Sequence, residues 1–261
     1  MPTCDEQLLF DYASQFLGYG SLNSCVWLIG PEAGGGRTID DAQNRASVWA
    51  QRGRKETEDL QGYHSGLNRP LEFDWKRNIQ KTWGALIRVI LALQDGQIAK
   101  TDDVREFQRK ELGRSDGNNC VLDLSQLSSP SMSEWKFEEC GISWLRTREE
   151  YEARLLPQRC DLFKCRLAHY KPRLALFYGD ALRHQGRWER IANNRFAPSE
   201  LPRLSWVQGE HTLFAMMPHP RNVRVSGQGA HKRFFADVGM ALRERLHTSD
   251  LSLLRDGGRP C

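Results

Sequence analysis

Several things are scarce or missing in this 261-residue chain. No apolar run approaches the ~18 residues that a membrane-spanning helix needs, so no membrane association is expected. Met1-Pro2-Thr3-Cys4-Asp5-Glu6 shows no basic segment leading into an apolar stretch, so a secretory leader is not expected either. Cysteines number seven (4, 25, 120, 140, 160, 165 and 261), an odd count without paired spacing. That usage reads as reduced thiols in a cytoplasm. Cys160 and Cys165 stand nearest each other, but four residues separate them and no second pair completes a ligand set. Neither a zinc nor an iron–sulfur cluster is expected, and no other cofactor. There is no internal repeat and no low-complexity tract. Lysine is also scarce: of 37 basic residues, 9 are Lys and 28 are Arg. Arginine's planar fork suits phosphates and base edges, although a GC-rich genome also raises arginine content. The net charge is a modest +4.

What is present is an ordinary globular composition, 39% hydrophobic and 27% charged, which excludes collagen, coiled coil and a disulfide miniprotein. Four continuous apolar runs have strand character: 25–29, 120–124, 173–178 and 212–217. Continuous rather than alternating runs suit strands buried on both faces of a parallel sheet. Helical spacing is found at 5–18, 74–94, 147–168 and 229–246, with Gly96 just past the end of the second. Strands alternating with helices predict an α/β fold, a three-layer α/β/α sandwich around a four-stranded, mainly parallel sheet. Residues 1–247 read as one domain. The polar stretches 37–73 and 96–118 read as surface elaborations, and 248–261 as a tail.

Ligands of open parallel sheets bind beyond the carboxyl ends of the strands, and three unusual segments stand there. After the first strand comes Gly30-Pro31-Glu32-Ala33-Gly34-Gly35-Gly36. Its glycines permit close backbone approach, and successive amides can form an anion nest. It is neither a Walker loop nor GxGxxG. A tight turn with a solvated Glu32 is the plain alternative. At the second strand, Asp123 lies inside an apolar run, where a charge needs a partner or a task, and Ser128-Ser129-Pro130 follows. The alternative is a capping Asp. After the fourth strand, Pro218-His219-Pro220 holds a histidine on a rigid turn. From 211 to 236 the charges beyond it are Arg221, Arg224, Lys232 and Arg233, with no acid. Such a loop is a fair contact for a phosphate backbone, or simply a solvated basic face.

Taken together, the segments resemble the uracil-DNA glycosylase superfamily, in order across most of residues 20–246. Gly30-Pro31-Glu32-Ala33-Gly34 resembles the family's first strand-end loop, which supplies the water-activating or cation-stabilising residue. Leu122-Asp123-Leu124 through Ser129-Pro130 resembles the strand ending in a base-reading Asn. Lys171-Pro172-Arg173 through Gly179-Asp180-Ala181 resembles the strand leading to a third turn, and His219-Pro220-Arg221 the final His-Pro motif. The resemblance implies base flipping and hydrolysis of an N-glycosidic bond in DNA, without a metal. Glu32 would stabilise the sugar cation or position water, and His219 would donate to the leaving base. Gly30, Pro31, Ala33, Gly34, Gly35, Asp123 and Ser128 would hold the substrate. Ser129, Pro130, Arg221, Arg224 and Lys232 would hold the DNA.

The departures point to the substrate. An ionised Asp123 only accepts, which suits the exocyclic amine of cytosine better than uracil. Gly34 stands where the most uracil-selective branch has a bulky Tyr that excludes 5-substituted pyrimidines. A 5-substituted cytosine of phage DNA, glucosylated hydroxymethylcytosine included, is therefore favoured; some bacterial members of the superfamily defend against phages carrying it. Uracil repair, an inert nucleic-acid-binding module and an unrelated phosphate-binding enzyme are the alternatives. If a glycosylase, Glu32, Asp123 and His219 should converge on one cavity about a base in size. An aromatic should form one wall, with Trp49, Tyr63, Trp83 and Trp135 as the choices.

Overall fold

The computed structural model describes residues 4–34, 38–69, 73, 78–129, 134–246 and 251. Gly35, Gly36, Trp75, Pro130, His247 and most of the 248–261 stretch lie outside the described residues.

The four apolar runs are strands: β2 (Val26–Glu32), β4 (Asn119–Ser125), β5 (Leu174–Gly179) and β8 (Leu213–Pro218). They lie side by side, all parallel, in the order β4-β2-β5-β8. The fold is α/β as expected, but the sheet is mixed and eight-stranded rather than four-stranded. On one side β1 (Gly18–Gly20) pairs antiparallel with β4, and β3 (Thr57–Glu58) extends the edge. On the other, β7 (Ser205–Gln208) pairs antiparallel with β8, and β6 (Ala197–Pro198) pairs with β7. These strands are two to four residues long, too short for a hydrophobic period to register. β1 requires its glycines: a β-carbon on Gly18 would stand 2.4 Å from the Val121 carbonyl oxygen, at φ +141°.

Strand alternation sends side chains to two cores. On one face Val26, Leu28, Val121, Leu174, Leu176, Leu213 and Ala215 are buried. They pack beneath α1 (Glu6–Gln15), α2 (Ile39–Gln51), α3 (Leu60–Gly66), α4 (Lys81–Asp95), α5 (Thr101–Lys110) and α8 (Ala230–Arg243). On the other face Trp27, Ile29, Leu122, Phe177 and Phe214 meet α6 (Arg148–Tyr170) and α7 (Ala181–Ala192). Each large apolar side chain so buried is worth about 1.5–3 kcal/mol.

The stretches read as surface elaborations are instead part of this layering. Within 37–73, Ile39, Ala42, Ala46 and Trp49 recur at helical spacing and turn α2 into a core helix. Within 96–118, Val104 and Phe107 bury α5 in the same way. The helix expected over 74–94 is α4, which begins at Lys81 because Gln80 caps it, accepting from the Trp83 N–H at 2.6 Å. It stops at Gly96, whose φ of +72° is left-handed. Cys25, expected as a thiol, is disulfide-bonded. Bonding follows distance in the fold, which spacing along the chain does not give. Cys4, Cys120, Cys140, Cys160 and Cys165 are free thiols. No helix among the described residues is long and apolar enough to cross a membrane.

Candidate active site at the carboxyl ends of the strands

In chain order the parallel strands run second, first, third, fourth across the sheet, so connections leave β2 and β5 in opposite directions. Such a switch point opens a crevice beyond the carboxyl ends of those two strands. Alternation then decides what faces it. Val26, Leu28, Val121, Leu174, Leu176 and Met217 occupy one face. Two residues further along each strand, that face carries Gly30 and Glu32 on β2, Asp123 and Ser125 on β4, Tyr178 on β5 and His219 after β8. The apolar core thus gives way to a polar group at one end of one face.

Asp123 is 7% exposed, and no described residue hydrogen-bonds its carboxyl group. Burial pushes it up to about 7, Glu32 adds to the rise, and Arg159 and Arg45 oppose it. Arg159 holds the backbone instead: its Nη2 donates to the Asp123 carbonyl at 2.6 Å and its Nε to the Leu124 carbonyl at 2.9 Å. Gly30, paired with Asp123 across β2 and β4, makes the room. A β-carbon there would lie 2.4 Å from the Tyr178 hydroxyl and 2.7 Å from Asp123 Oδ1. Tyr178 is buried, and burial together with Asp123 raises its hydroxyl well above the usual range.

Glu32 is tethered at both oxygens. Oε1 accepts from the Ser129 N–H at 2.8 Å, and Oε2 accepts from Arg148 Nη1 at 2.6 Å. The Arg148 guanidinium in turn lies 5.0 Å from the Trp135 ring centre. A carboxylate so held keeps a fixed direction, with its second lone pairs still able to accept.

His219 caps the short 3-10 turn Pro220–Asn222, its Nδ1 accepting from the Arg221 N–H at 3.2 Å. That bond assigns the proton of the neutral ring to Nε2, leaving a donor for a ligand. Burial lowers His219 to about 4, helped by Arg221 and His184, so the ring is neutral at pH 7. Its ring packs 5.7 Å from that of Tyr178.

No family model matches this chain, and no curated protein matches it. The group offers a neutral imidazole donor, a carboxyl group without a hydrogen bond from the described residues, a fixed carboxylate and a buried tyrosine at one end of the sheet.

Glu32, Asp123 and His219 stand at this one end of the sheet, but neither cleft described below gathers them into the single base-sized cavity expected, and the ring packed beside His219 is none of the four aromatics expected. Trp49 and Tyr63 are core residues, their polar atoms spent on the Lys55 and Arg45 carbonyls. Trp83 packs on His64 and Phe73, and Trp135 donates to the Leu145 carbonyl. Tyr178 is the ring beside His219. Its signal was present: it is the last residue before Gly179, in phase with Leu174 and Leu176.

The loop after the first strand begins later than the sequence suggests. Gly30, Pro31 and Glu32 belong to β2, which outlasts its apolar run by pairing Glu32 with Ser125. Ala33 donates its N–H to the Ser125 carbonyl at 2.8 Å, and Gly34 has open space on its side-chain side. Arg45 Nη2 donates to the Gly34 carbonyl at 3.2 Å. Ser128 is buried. Arg221, Arg224, Lys232 and Arg233 are exposed. Arg233 faces Asp237 at 3.8 Å, an acid just past the acid-free stretch. Two clefts lie elsewhere: one of ≈340 Å³ at the amino ends of the strands and one of ≈960 Å³ beside the Pro220 turn. Neither is lined by Glu32, Asp123 or His219.

Proposed function

We propose that this protein is a monofunctional DNA glycosylase of the uracil-DNA glycosylase type, excising a modified pyrimidine and leaving an abasic site. The observation that carries the reading is Asp123: a buried carboxyl group without a hydrogen-bond partner among the described residues, near the Tyr178 hydroxyl over Gly30, with His219 packed on the Tyr178 ring. Leaving such a group unpaired is costly unless a ligand completes it. A flipped base does so through its Watson–Crick edge. With its proton, Asp123 donates from one oxygen and accepts at the other, matching either N3 and the N4 amine of cytosine or N3–H and O4 of uracil. Without it, Asp123 accepts from the cytosine amine or the uracil N3–H and leaves cytosine N3 or uracil O4 without a donor. A 5-substituted cytosine stays the favoured substrate, and the open side of Gly34 leaves room for the substituent. Tyr178 stacks on the base, His219 Nε2–H donates to the departing ring, and Glu32 stabilises the sugar cation or orients water.

The tether of Glu32 by Arg148 and Ser129 favours a second reading, an inert nucleic-acid-binding module on the same scaffold. Incubating the protein with duplexes holding uracil, cytosine, 5-hydroxymethylcytosine or its glucosylated form, and scoring abasic sites, separates the readings. Release of the modified cytosines, lost in Glu32→Gln with binding retained, supports the glycosylase. Release of uracil alone sinks the modified-cytosine assignment, and no release from any duplex leaves the binding module.

A further inference from the structure

The ≈960 Å³ cleft is walled by the first turns of α4, α5 and α8 and by the Pro220–Asn222 turn. Lys81, Arg88, Arg105, Arg221 and Lys232 line it, and no lining residue among the described ones is an acid. Arg105 is held by Asp102 at 2.5 Å. Arg88 is different. It is 7% exposed, yet among the described residues its guanidinium makes one hydrogen bond, Nη1 to the Gly84 carbonyl at 2.6 Å, and Nε is buried without a partner. No carboxylate of the described residues pairs with it. A buried, unpaired cation is strongly unfavourable, and arginine cannot escape by losing its proton. At the same cleft, Gly229 gives α8 no side-chain cap; the Ala230 N–H donates to the Gly227 carbonyl at 3.2 Å, and the N–H groups of His231 and Lys232 stay available for an anion.

We propose that this cleft is a phosphate-binding subsite that grips the backbone of a nucleic-acid strand. Arg88 forms its floor, and Lys81, Arg221 and Lys232 its rim. A phosphate satisfies what Arg88 lacks, because two of its oxygens match the guanidinium fork. The rim is contributed by three separate elements, so successive phosphates of one strand can each find a cation. The cleft is coupled to the candidate active site through one turn: His219 caps it and Arg221 belongs to it. A strand seated here passes the His219 side of the sheet. The inference rests on the nucleic-acid part of the proposed function and not on base release.

The test is equilibrium binding of an unmodified duplex over a salt series, for the wild type, Arg88→Met and the double variant Lys81→Ala/Lys232→Ala, with melting in inorganic pyrophosphate alongside. Each lost phosphate contact lowers the slope of log affinity against log salt by about 1, so the double variant should lose about 2. Pyrophosphate should raise the melting temperature of the wild type and not that of Arg88→Met. The lysine variant carries surface changes alone and reports even if Arg88→Met fails to fold. An unchanged slope in the lysine variant overturns the proposal. If pyrophosphate still stabilises the wild type in that case, the cleft serves a free phosphate compound and not a strand. These duplexes hold no excisable base, so a failure of the glycosylase reading leaves these results standing.

Discussion

Asp123 Oδ1 and the Tyr178 hydroxyl meet over Gly30, where a β-carbon would stand 2.7 Å from the first and 2.4 Å from the second. Gly30 has no need of a left-handed backbone; it is required for space. Gly30→Ala should therefore cost about 1–3 kcal/mol by overpacking, read from denaturant unfolding. It should also abolish base release, because the added methyl stands between the carboxyl group and the aromatic ring. Tyr178→Leu in the Gly30→Ala background should recover part of the stability but none of the activity. Equal recovery of both would remove Tyr178 from the site.

Asp123 gives the site a pH signature. Its folded value is about 7 against an ordinary 3.8, so the folded protein holds this proton more tightly between those limits. The contribution to stability is complete below pH ~4 and is lost as pH rises through 7, a swing on the order of 4 kcal/mol. Asp123→Asn removes the swing: its unfolding free energy should exceed that of the wild type above pH 7. Base recognition should change over the same interval. Release should fall as pH rises through 7, because the ionised group only accepts and leaves cytosine N3 or uracil O4 without a donor. A wild-type rate flat from pH 6 to 8 would take Asp123 away from the base edge.

His219 runs the other way. Its folded value is about 4 against 6.5, so its contribution to stability is present above pH 6.5 and is lost as pH falls through 4. The neutral Nε2–H donor therefore persists in mild acid, and base release should show no step near pH 6.5 from this residue. His219→Ala should slow release by about 10²–10³, as removal of a preorganised donor does elsewhere. His219→Gln should keep more of the rate. A rate step at 6.5 that disappears in His219→Gln would show that the ring titrates as an ordinary exposed histidine.

The parts of this architecture that were legible in the sequence are those written in long apolar patterns. The four central strands lie in runs of five or six residues that are apolar but for Asp123, Arg173 and Thr212, and α6 and α8 announce themselves by period. The remaining strands could not be seen, because Gly18–Gly20 is three residues held by backbone contact and Thr57–Glu58 is two. Stretch 37–73 looked like surface because its charges outnumber its apolar residues, yet burial depends on where Ile39, Ala42, Ala46 and Trp49 fall, not on their share. At the candidate site, Asp123 stands out because it interrupts an apolar run, Glu32 because it sits in a Gly-rich segment after a strand, and His219 because two prolines flank it. Tyr178 did not, since a tyrosine inside such a run reads as core. The tie from Glu32 to Arg148 spans 116 residues, and Arg88 sits within an ordinary helical period, so neither has a local signature.

That tie carries the last prediction. Arg148 is 6% and Glu32 18% exposed, and the ion pair stands on the Trp135 ring. Arg148→Ala leaves a largely buried carboxylate without its cation, at a cost of about 3 kcal/mol. Lysine should not substitute well, because it lacks the planar face that rests on Trp135. In the proposed reaction Arg148 would be a positioning residue acting through Glu32. Base release should therefore fall in Arg148→Ala and fall no further when Glu32→Gln is added, a coupling that a double-mutant cycle measures. Independent, additive losses would mean that Arg148 reaches the DNA itself. A gain of activity in Arg148→Ala would mean that the tether restrains Glu32 and that the resting enzyme is held in check by it.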